Sequence, residues 1–298
     1  MKKCYFCESE KLQSTPHQRS IEFNGEKYRF FLCHNCSGYS LFPKLNDTQL
    51  SFLYSLDYAG AYEDGFSSAD EVHETGFIDL GNFLASHRGV LGKNFLDYGC
   101  GTNPISFKMA TENGLIPYGM ELTADVRTIA EQNTGIKLCS RDEIISGEEF
   151  FDVIFFGDVL EHLVDPIFEL GCLTKKLTSG GILIAQGPLQ GASTFTHRIV
   201  GLFAWFTQGR STAYPPYHVS LATLRSMKKL LTKCDFQIII IKIYEVNWPV
   251  PTFKELRLNV TSRNVVLFTT KQIDKIIAKM FRNYGTRYFV VCKKVEHK

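Results

Sequence analysis

From Lys93 onward, short apolar runs alternate with stretches of helical period, and this rhythm limits the fold more than any other feature of the chain. Strands are predicted at Asn94–Tyr98, Tyr118–Glu121, Lys137–Cys139, Asp152–Phe156, Gly181–Ala185, Phe236–Tyr244 and Arg287–Cys292. Helices are predicted between them at Ile105–Asn113, Thr123–Gln132, Pro166–Leu177 and Leu221–Lys233. Strands and helices taken in turn specify a mostly parallel sheet, because each parallel crossover lays a helix on one of its faces. The expectation is an α/β fold with a seven-stranded sheet and helices on both faces. Ligands of such sheets bind beyond the carboxyl ends of the strands.

Composition supports a full core. The chain has 298 residues, 44% of them hydrophobic and 21% charged, with a net charge of +2. Disorder would need low hydrophobicity and high net charge. The longest apolar stretches, Ile199–Phe206 and Phe236–Ile241, fall well short of the ~18 residues of a membrane span. The start, Met1-Lys2-Lys3-Cys4-Tyr5, runs to Glu8 and Glu10 without an apolar segment, so no signal peptide is read and a cytoplasmic location is expected. In that setting the nine cysteines are metal ligands or core residues rather than disulfides. The balanced charge hides an asymmetry. From Arg225 to the end, 16 Lys/Arg stand against 5 Asp/Glu, and the remainder holds 17 against 26.

Four of the cysteines form two pairs, Cys4-x-x-Cys7 and Cys33-x-x-Cys36, with 25 residues between the pairs. Each turn aims two sulfurs at one point, and two turns complete a closed thiolate site for structural zinc. Between them Ile21–Phe31 alternates around Asn24-Gly25, the favoured two-residue hairpin turn. Residues 1–45 therefore read as a zinc ribbon whose folding energy comes largely from the metal. Cys100, Cys139, Cys172, Cys234 and Cys292 stand singly and read as core. Residues 46–90 read as a helical linker or flap. Its first helix is at Leu45–Tyr54 with Asp47 as cap, Tyr54, Tyr58 and Tyr62 lie at fourfold spacing, and a second helix runs from Asp70 to Arg88. The remainder, 91–298, is the main domain.

The first strand of that domain ends Asp97-Tyr98-Gly99-Cys100-Gly101-Thr102-Asn103-Pro104. The glycines permit a sharp turn and a close ligand approach, while Asn103 and Pro104 suit the cap and first position of the next helix. Glu121 ends the next strand, where a carboxylate can take both hydroxyls of a ribose. A dinucleotide fingerprint needs glycine at 104, where this chain has proline.

Asp97-x-Gly99-x-Gly101 instead resembles the first motif of S-adenosylmethionine-dependent methyltransferases with the Rossmann-like fold. An acidic strand end suits a sulfonium cofactor that carries no phosphate. The run Leu160-Glu161-His162-Leu163-Val164-Asp165-Pro166 is similar to the LEH-x-x-DP segment of one large subgroup, and Ser179–Ile184 to the turn and strand that follow it. The ribbon followed by Tyr58 and Tyr62 looks like the zinc-binding leader of sugar C-methyltransferases and related surface-polysaccharide or natural-product methyltransferases.

The resemblance implies an antiparallel last strand and a set of roles. Asp97, Gly99 and Gly101 shape the methionine pocket. Glu121, with Leu122 after it, binds the ribose. Asp142 faces the adenine, and Gly157 and Asp158 lie under the cofactor. A carbon or oxygen acceptor also needs a base, for which Asp158, His162 and His218 are candidates, with Ser220 capping the helix after His218.

Residues 187–217, rich in aromatics and holding His197, Arg198 and Arg210, read as a lid or as a core-capping helix. Residues 245–286 are a second insertion. Its helix at Lys271–Arg282 is expected to dock an apolar face on the core and to turn a stripe of Lys271, Lys275 and Lys279 outward, toward solvent, an anionic membrane or an anionic substrate.

The acceptor implied is a small molecule: a sugar, a nucleotide-linked sugar or a lipid-linked glycan. An RNA methyltransferase is the alternative, although residues 1–45 hold only seven Lys/Arg against four Glu, which speaks against nucleic acid. A non-catalytic cofactor-binding partner protein is the third reading. Nothing in the sequence indicates an oligomeric state.

Overall fold

The computed structural model describes residues 2–15, 20–55, 69–89, 92–191, 194–206, 216–246 and 253–295. Tyr58 and Tyr62, together with Arg210 and Tyr214 of the lid segment, lie outside the described residues.

The main sheet has six strands in the order β10-β11-β8-β7-β5-β6. These are β5 (Asn94–Tyr98), β6 (Ile116–Met120), β7 (Phe151–Gly157), β8 (Leu177–Pro188), β10 (Phe236–Tyr244) and β11 (Arg287–Lys294). β6, β5, β7 and β8 run parallel, and β11 is antiparallel to both its neighbours. The seventh expected strand, Lys137–Cys139, contributes only a single bridge from Cys139 to Met120. It is too short to build a ladder at the sheet edge.

Side chains alternate across this sheet as period two demands. Leu96, Tyr98, Ile154, Phe156, Leu183, Ala185, Val290 and Cys292 enter one cluster, packed by α6 (Pro166–Lys176) and α8 (Leu224–Lys233). Phe95, Val153, Phe155, Ile184, Phe289 and Val291 enter the other, packed by α2 (Ala69–Ser86) and α3 (Ile105–Glu112). Fully buried Phe and Ile rows on both faces explain why the central strands read as continuous apolar runs.

Three cap assignments are corrected. Helix α1 (Asp47–Leu53) is capped by Asn46, not Asp47, through a reciprocal capping box with Gln49. Pro104 itself sits at the cap position of α3 and no side chain caps that helix, so Asn103 has no such role. Helix α8 is capped by Thr223 with Ser226, not by Ser220. Ser220 belongs to a strand, β9 (Ser220–Leu221).

That strand carries the main structural surprise. A second sheet is built from β1 (Leu12–Ser14), β2 (Ile21–Phe23), β3 (Glu26–Cys33) and β4 (Tyr39–Phe42), and β9 pairs antiparallel with β4 as its fifth strand. The β2–β3 hairpin turns at Asn24 and Gly25, both with positive φ, as a two-residue primed turn requires. Tyr5, Phe23, Tyr28, Phe30, Leu41 and Phe42 pack with Leu50 and Leu53 of α1 and with Val219. Residues 1–45 thus share their apolar packing with α1 and with the segment before α8, so their stability does not rest on metal alone.

The helix of the second insertion departs from expectation: Lys279 of the expected stripe is exposed and Lys275 half-buried, but Lys271 is buried. In α10 (Ser262–Met280) the fully buried residues are Thr270, Lys271 and Asp274, while Val265, Ile273, Ile276 and Met280 are exposed. Hydrophobic periodicity defines two faces but not which one points inward. Here polar partners on neighbouring elements decide it. Lys271 pairs with the buried carboxylate of Glu245. Asp274 accepts from the backbone N–H groups of Phe195 and Thr196 at 2.8 and 2.9 Å, at the start of α7 (Phe195–Phe206).

Candidate active site

Strand order reverses between β5 and β7, the crevice where open α/β sheets take their ligands. A cavity of about 800 Å³ opens there, walled by Tyr54, Gly99, Glu121, Leu122, Asp142, Asp158, His162, Phe168 and Tyr217 among others. Gly99, Glu121, Leu122, Asp142, Asp158 and His162 therefore come together on one surface. Asp97, Gly101, Gly157 and His218 stand behind it and do not line it.

The β5–α3 loop explains its glycines. Gly99 has φ +82, and a Cβ there would lie 2.6 Å from Val159. Its neighbour Gly101 donates its N–H to Glu121 at 3.0 Å, and the N–H of Leu122 reaches the other carboxylate oxygen at 2.7 Å. Two backbone amides thus hold Glu121 at the cavity wall, although burial raises its pKa. Asp97 is buried at 4% exposure and accepts a hydrogen bond from Ser106 of α3. Burial pushes its carboxyl up to about 7, against the opposing pull of that hydrogen bond. Its visible work is to tie loop to helix. Asp142 is nearly fully exposed at the mouth, beside Arg141. Arg141 in turn makes a bidentate pair with Glu169.

At the end of β7, Asp158 adopts φ +60, a left-handed conformation rare for a residue other than glycine. Arg287, the first residue of β11, grips both its carboxylate oxygens at 2.6 and 2.7 Å, and Gln186 of β8 donates to it at 3.3 Å. Gln186 is pressed against Gly76 of α2, where a Cβ would approach its side-chain oxygen to 1.8 Å. Glu161, one helical turn on, is buried, and burial followed by repulsion from Asp158 raises its pKa to about 8.

His162 and Tyr54 share one carbonyl. His162 Nδ1 lies 2.7 Å from the Tyr217 carbonyl oxygen, and the Tyr54 hydroxyl donates to the same oxygen at 2.7 Å. This network assigns the proton to Nδ1, while Nε2 lies 3.9 Å from the buried Glu161 carboxylate. Burial lowers the His162 pKa, which favours the neutral ring. The His218 ring meets His162 edge to face at 4.9 Å and its Nδ1 lies 2.6 Å from Gln190 Oε1. Burial, then the neighbouring His162, push it down to about 3. Glu161, His162 and His218 also bring one ligand atom each within 4.8 Å of one another.

Tyr54 of the expected flap stands on the cavity wall, whereas Arg287, Gln186 and Arg141 were not expected at the site. An arginine opening an apolar strand is the one available signal, since a buried guanidinium requires a carboxylate partner.

The second cluster is formed by Cys4, Cys7, Cys33 and Cys36, whose sulfurs lie within 4.8 Å of one another. Cys4 and Cys36 are 3.5 Å apart and Cys7 and Cys33 3.6 Å, close to the edge of about 3.8 Å of a tetrahedron with 2.3 Å zinc–sulfur bonds. The two turns are twins. Glu8 and Ser37 follow each pair with positive φ, and their N–H groups bond Cys4 O and Cys33 O at 2.9 and 2.8 Å. Hydrogen bonds led by that from Cys36 draw the Cys4 thiol down to about 5. The donor set fits a structural zinc ion.

A parallel sheet with its cavity at the strand-order reversal, an acid after the second strand and a glycine turn after the first define the class: a Rossmann-like methyltransferase fold. The chain belongs to the family described as "Methyltransferase domain", whose profile matches residues 73–240. It is similar to the ubiquinone biosynthesis O-methyltransferase of Aliivibrio fischeri (strain MJ11), with 25% identity over 153 residues, 49% of this chain and 65% of that protein. It is 30% identical over 107 residues to the enzyme of the same name from Hydrogenovibrio crunogenus, covering 33% of this chain and 44% of the relative. The chain thus spans less than two thirds of the length of these relatives. Among solved structures it resembles magnesium protoporphyrin IX methyltransferase from Synechocystis with bound SAH (TM-score 0.56, 13% identity, 84% of this chain and 100% of that one). It also resembles a SAM-dependent methyltransferase from Archaeoglobus fulgidus (TM-score 0.51, 19% identity, 80% and 100%).

Proposed function

We propose that this protein methylates a hydroxyl group of a small-molecule acceptor, with S-adenosylmethionine as donor. The observation that carries the reading is the convergence of Glu121, Asp158 and His162 on one cavity at the β5–β7 crevice. When bound there, the donor supplies an electrophilic methyl group on a sulfonium. Glu121, fixed by the amides of Gly101 and Leu122, takes the ribose hydroxyls. Gly99 keeps the loop open to the methionine end, while Asp97 holds the loop to α3 from behind. Asp142, at the mouth, faces the adenine. The acids on the wall suit a cation.

His162 is the base. Its Nε2 removes the acceptor proton, and the Tyr217 carbonyl, accepting from Nδ1, stabilises the imidazolium that forms. Tyr54 and His218 are positioning residues: Tyr54 shares that carbonyl, and His218 packs edge-on against the ring. Asp158, held rigid by Arg287, orients the acceptor. Curated relatives named as O-methyltransferases support hydroxyl chemistry. The four-cysteine cluster holds zinc in a structural role, with every ligand position filled by the chain.

Calorimetry tests the reading. S-adenosylmethionine binds the purified protein and Glu121→Ala abolishes binding. No heat at millimolar cofactor refutes it. Metal analysis returns about one zinc per chain.

A further inference from the structure

Helix α10 is an amphipathic helix worn inside out. Its polar residues Thr270, Lys271 and Asp274 are buried and bonded, while Leu267, Phe268 and Ile277 are half-buried and Val265, Ile273, Ile276 and Met280 are exposed. On that outer face Val265, Ile276 and Met280 are exposed, the last two at 61% and 71%, and Phe281 follows at the helix end. The preceding α9 (Phe253–Leu258) packs beside it through Phe253 and Phe268 and adds Leu258 at 81% exposure and Val260 at 70%. A helix of a protein surrounded by water presents the opposite pattern. An exposed apolar patch of this kind marks a contact surface.

Charge selects the occupant. The ionisable side chains described between residues 256 and 284 that are not buried in the fold are Arg257, Arg263, Lys275, Lys279 and Arg282, together with the Tyr284 phenol. The one acid there, Asp274, points inward to α7. A groove of about 470 Å³ runs beside the apolar face and is lined by Tyr244, Glu245, Gln272, Lys275, Ile276 and Lys279 among others, the Glu245 carboxylate being paired with buried Lys271. Large apolar residues, described solvent-facing charges that are all cationic between residues 256 and 284, and a groove beside them together match the interface of a bilayer carrying anionic lipids. These cations specify the anionic surface.

We infer that the α9–α10 insertion docks this protein on an anionic lipid membrane, lying in the interface rather than crossing it. Asp274 ties the docked helix to the first turn of α7, so the segment after β8 is carried to the membrane with it.

The full-length chain is tested by flotation with vesicles of phosphatidylcholine alone and of phosphatidylcholine mixed with phosphatidylglycerol, at low and at physiological salt. Binding is expected to the mixed vesicles only, and to weaken with salt. Ile276→Glu with Met280→Glu lowers partitioning about tenfold or more, and Lys279→Gln lowers it about fivefold. All these side chains are solvent-facing, so circular dichroism and melting temperature stay as in the parent. Cofactor binding measured on the same samples is unaffected by the variants, which separates this proposal from the catalytic one. Absence of binding to the mixed vesicles at low salt overturns the inference, as does equal binding by the double variant. A dimer in light scattering that Ile276→Glu with Met280→Glu converts to monomer, without vesicle binding by either protein, shows that a second copy covers the face and also overturns it.

Discussion

Replacing Asp97 by asparagine should stabilise the protein in the absence of ligand, by an amount that grows from about pH 4 and is full above about pH 7. The carboxyl is buried, and burial raises its pKa from an ordinary 3.8 to about 7. The native state therefore keeps a proton that the unfolded chain releases, and stability falls as pH rises from about 4 through 7, then levels. A shift of that size corresponds to about 4 kcal/mol at full development, an upper value because burial relaxes. Asparagine has the same shape and no charge to desolvate, and Ser106 can still partner it. For a chain of this size about 4 kcal/mol is on the order of 10 °C in melting temperature. Scanning calorimetry of parent and variant at pH 5 and pH 8.5 reads the difference directly. The variant should melt several degrees higher at pH 8.5 and by less than half as much at pH 5, where about 1.7 kcal/mol of the penalty has already developed. A variant that melts lower at pH 8.5, or one offset equally at both pH values, would show that Asp97 is not a desolvated acid and that the reasoning fails.

Three further outcomes are expected. Arg287→Met removes the cation that grips the part-buried Asp158 beside Glu161, costing about 3 kcal/mol in denaturant unfolding, most of it recovered on adding Asp158→Asn. Cys33→Ser reduces bound metal measured by mass spectrometry and, because β9 pairs with β4, perturbs the His218 imidazole resonances two residues from the strand; an unchanged His218 spectrum would contradict the coupling. The rate of methyl transfer falls at acidic pH as His162 becomes protonated, with its midpoint below the ordinary histidine value because burial favours the neutral ring, and His162→Ala removes that limb of the profile.

Much of this architecture was legible because local pattern and tertiary environment agree. β5, β7 and β11 are runs of apolar residues where both sheet faces are covered, and Gly99 is needed where Val159 leaves no room for a Cβ. The paired C-x-x-C turns carry their own geometry. What escaped notice depended on distant partners. Lys271 reads as a surface lysine until Glu245 is seen opposite it, and Asp274 as a solvated acid until the start of α7 is placed against it. Ser220 looks like a helix cap because serine favours caps. A strand 180 residues earlier claims it instead, and Thr223 takes the cap. Arg287 appears as the plain beginning of a strand, and only the sheet order shows it reaching Asp158.

The pairing of Ser40 with Ser220 also sets a timetable for synthesis. At 5–20 residues per second, the ribosome needs roughly 10–40 s to make the intervening 180 residues. During that interval β4 has a free edge, and the apolar side of Leu41 and Phe42 lacks the Val219 that completes its packing. The cysteine turns, by contrast, are complete once residue 36 has emerged. A metal ion captured early would hold this sheet together while it waits for its last strand, so the growth conditions that matter most for a soluble product are those that supply zinc during translation rather than after it.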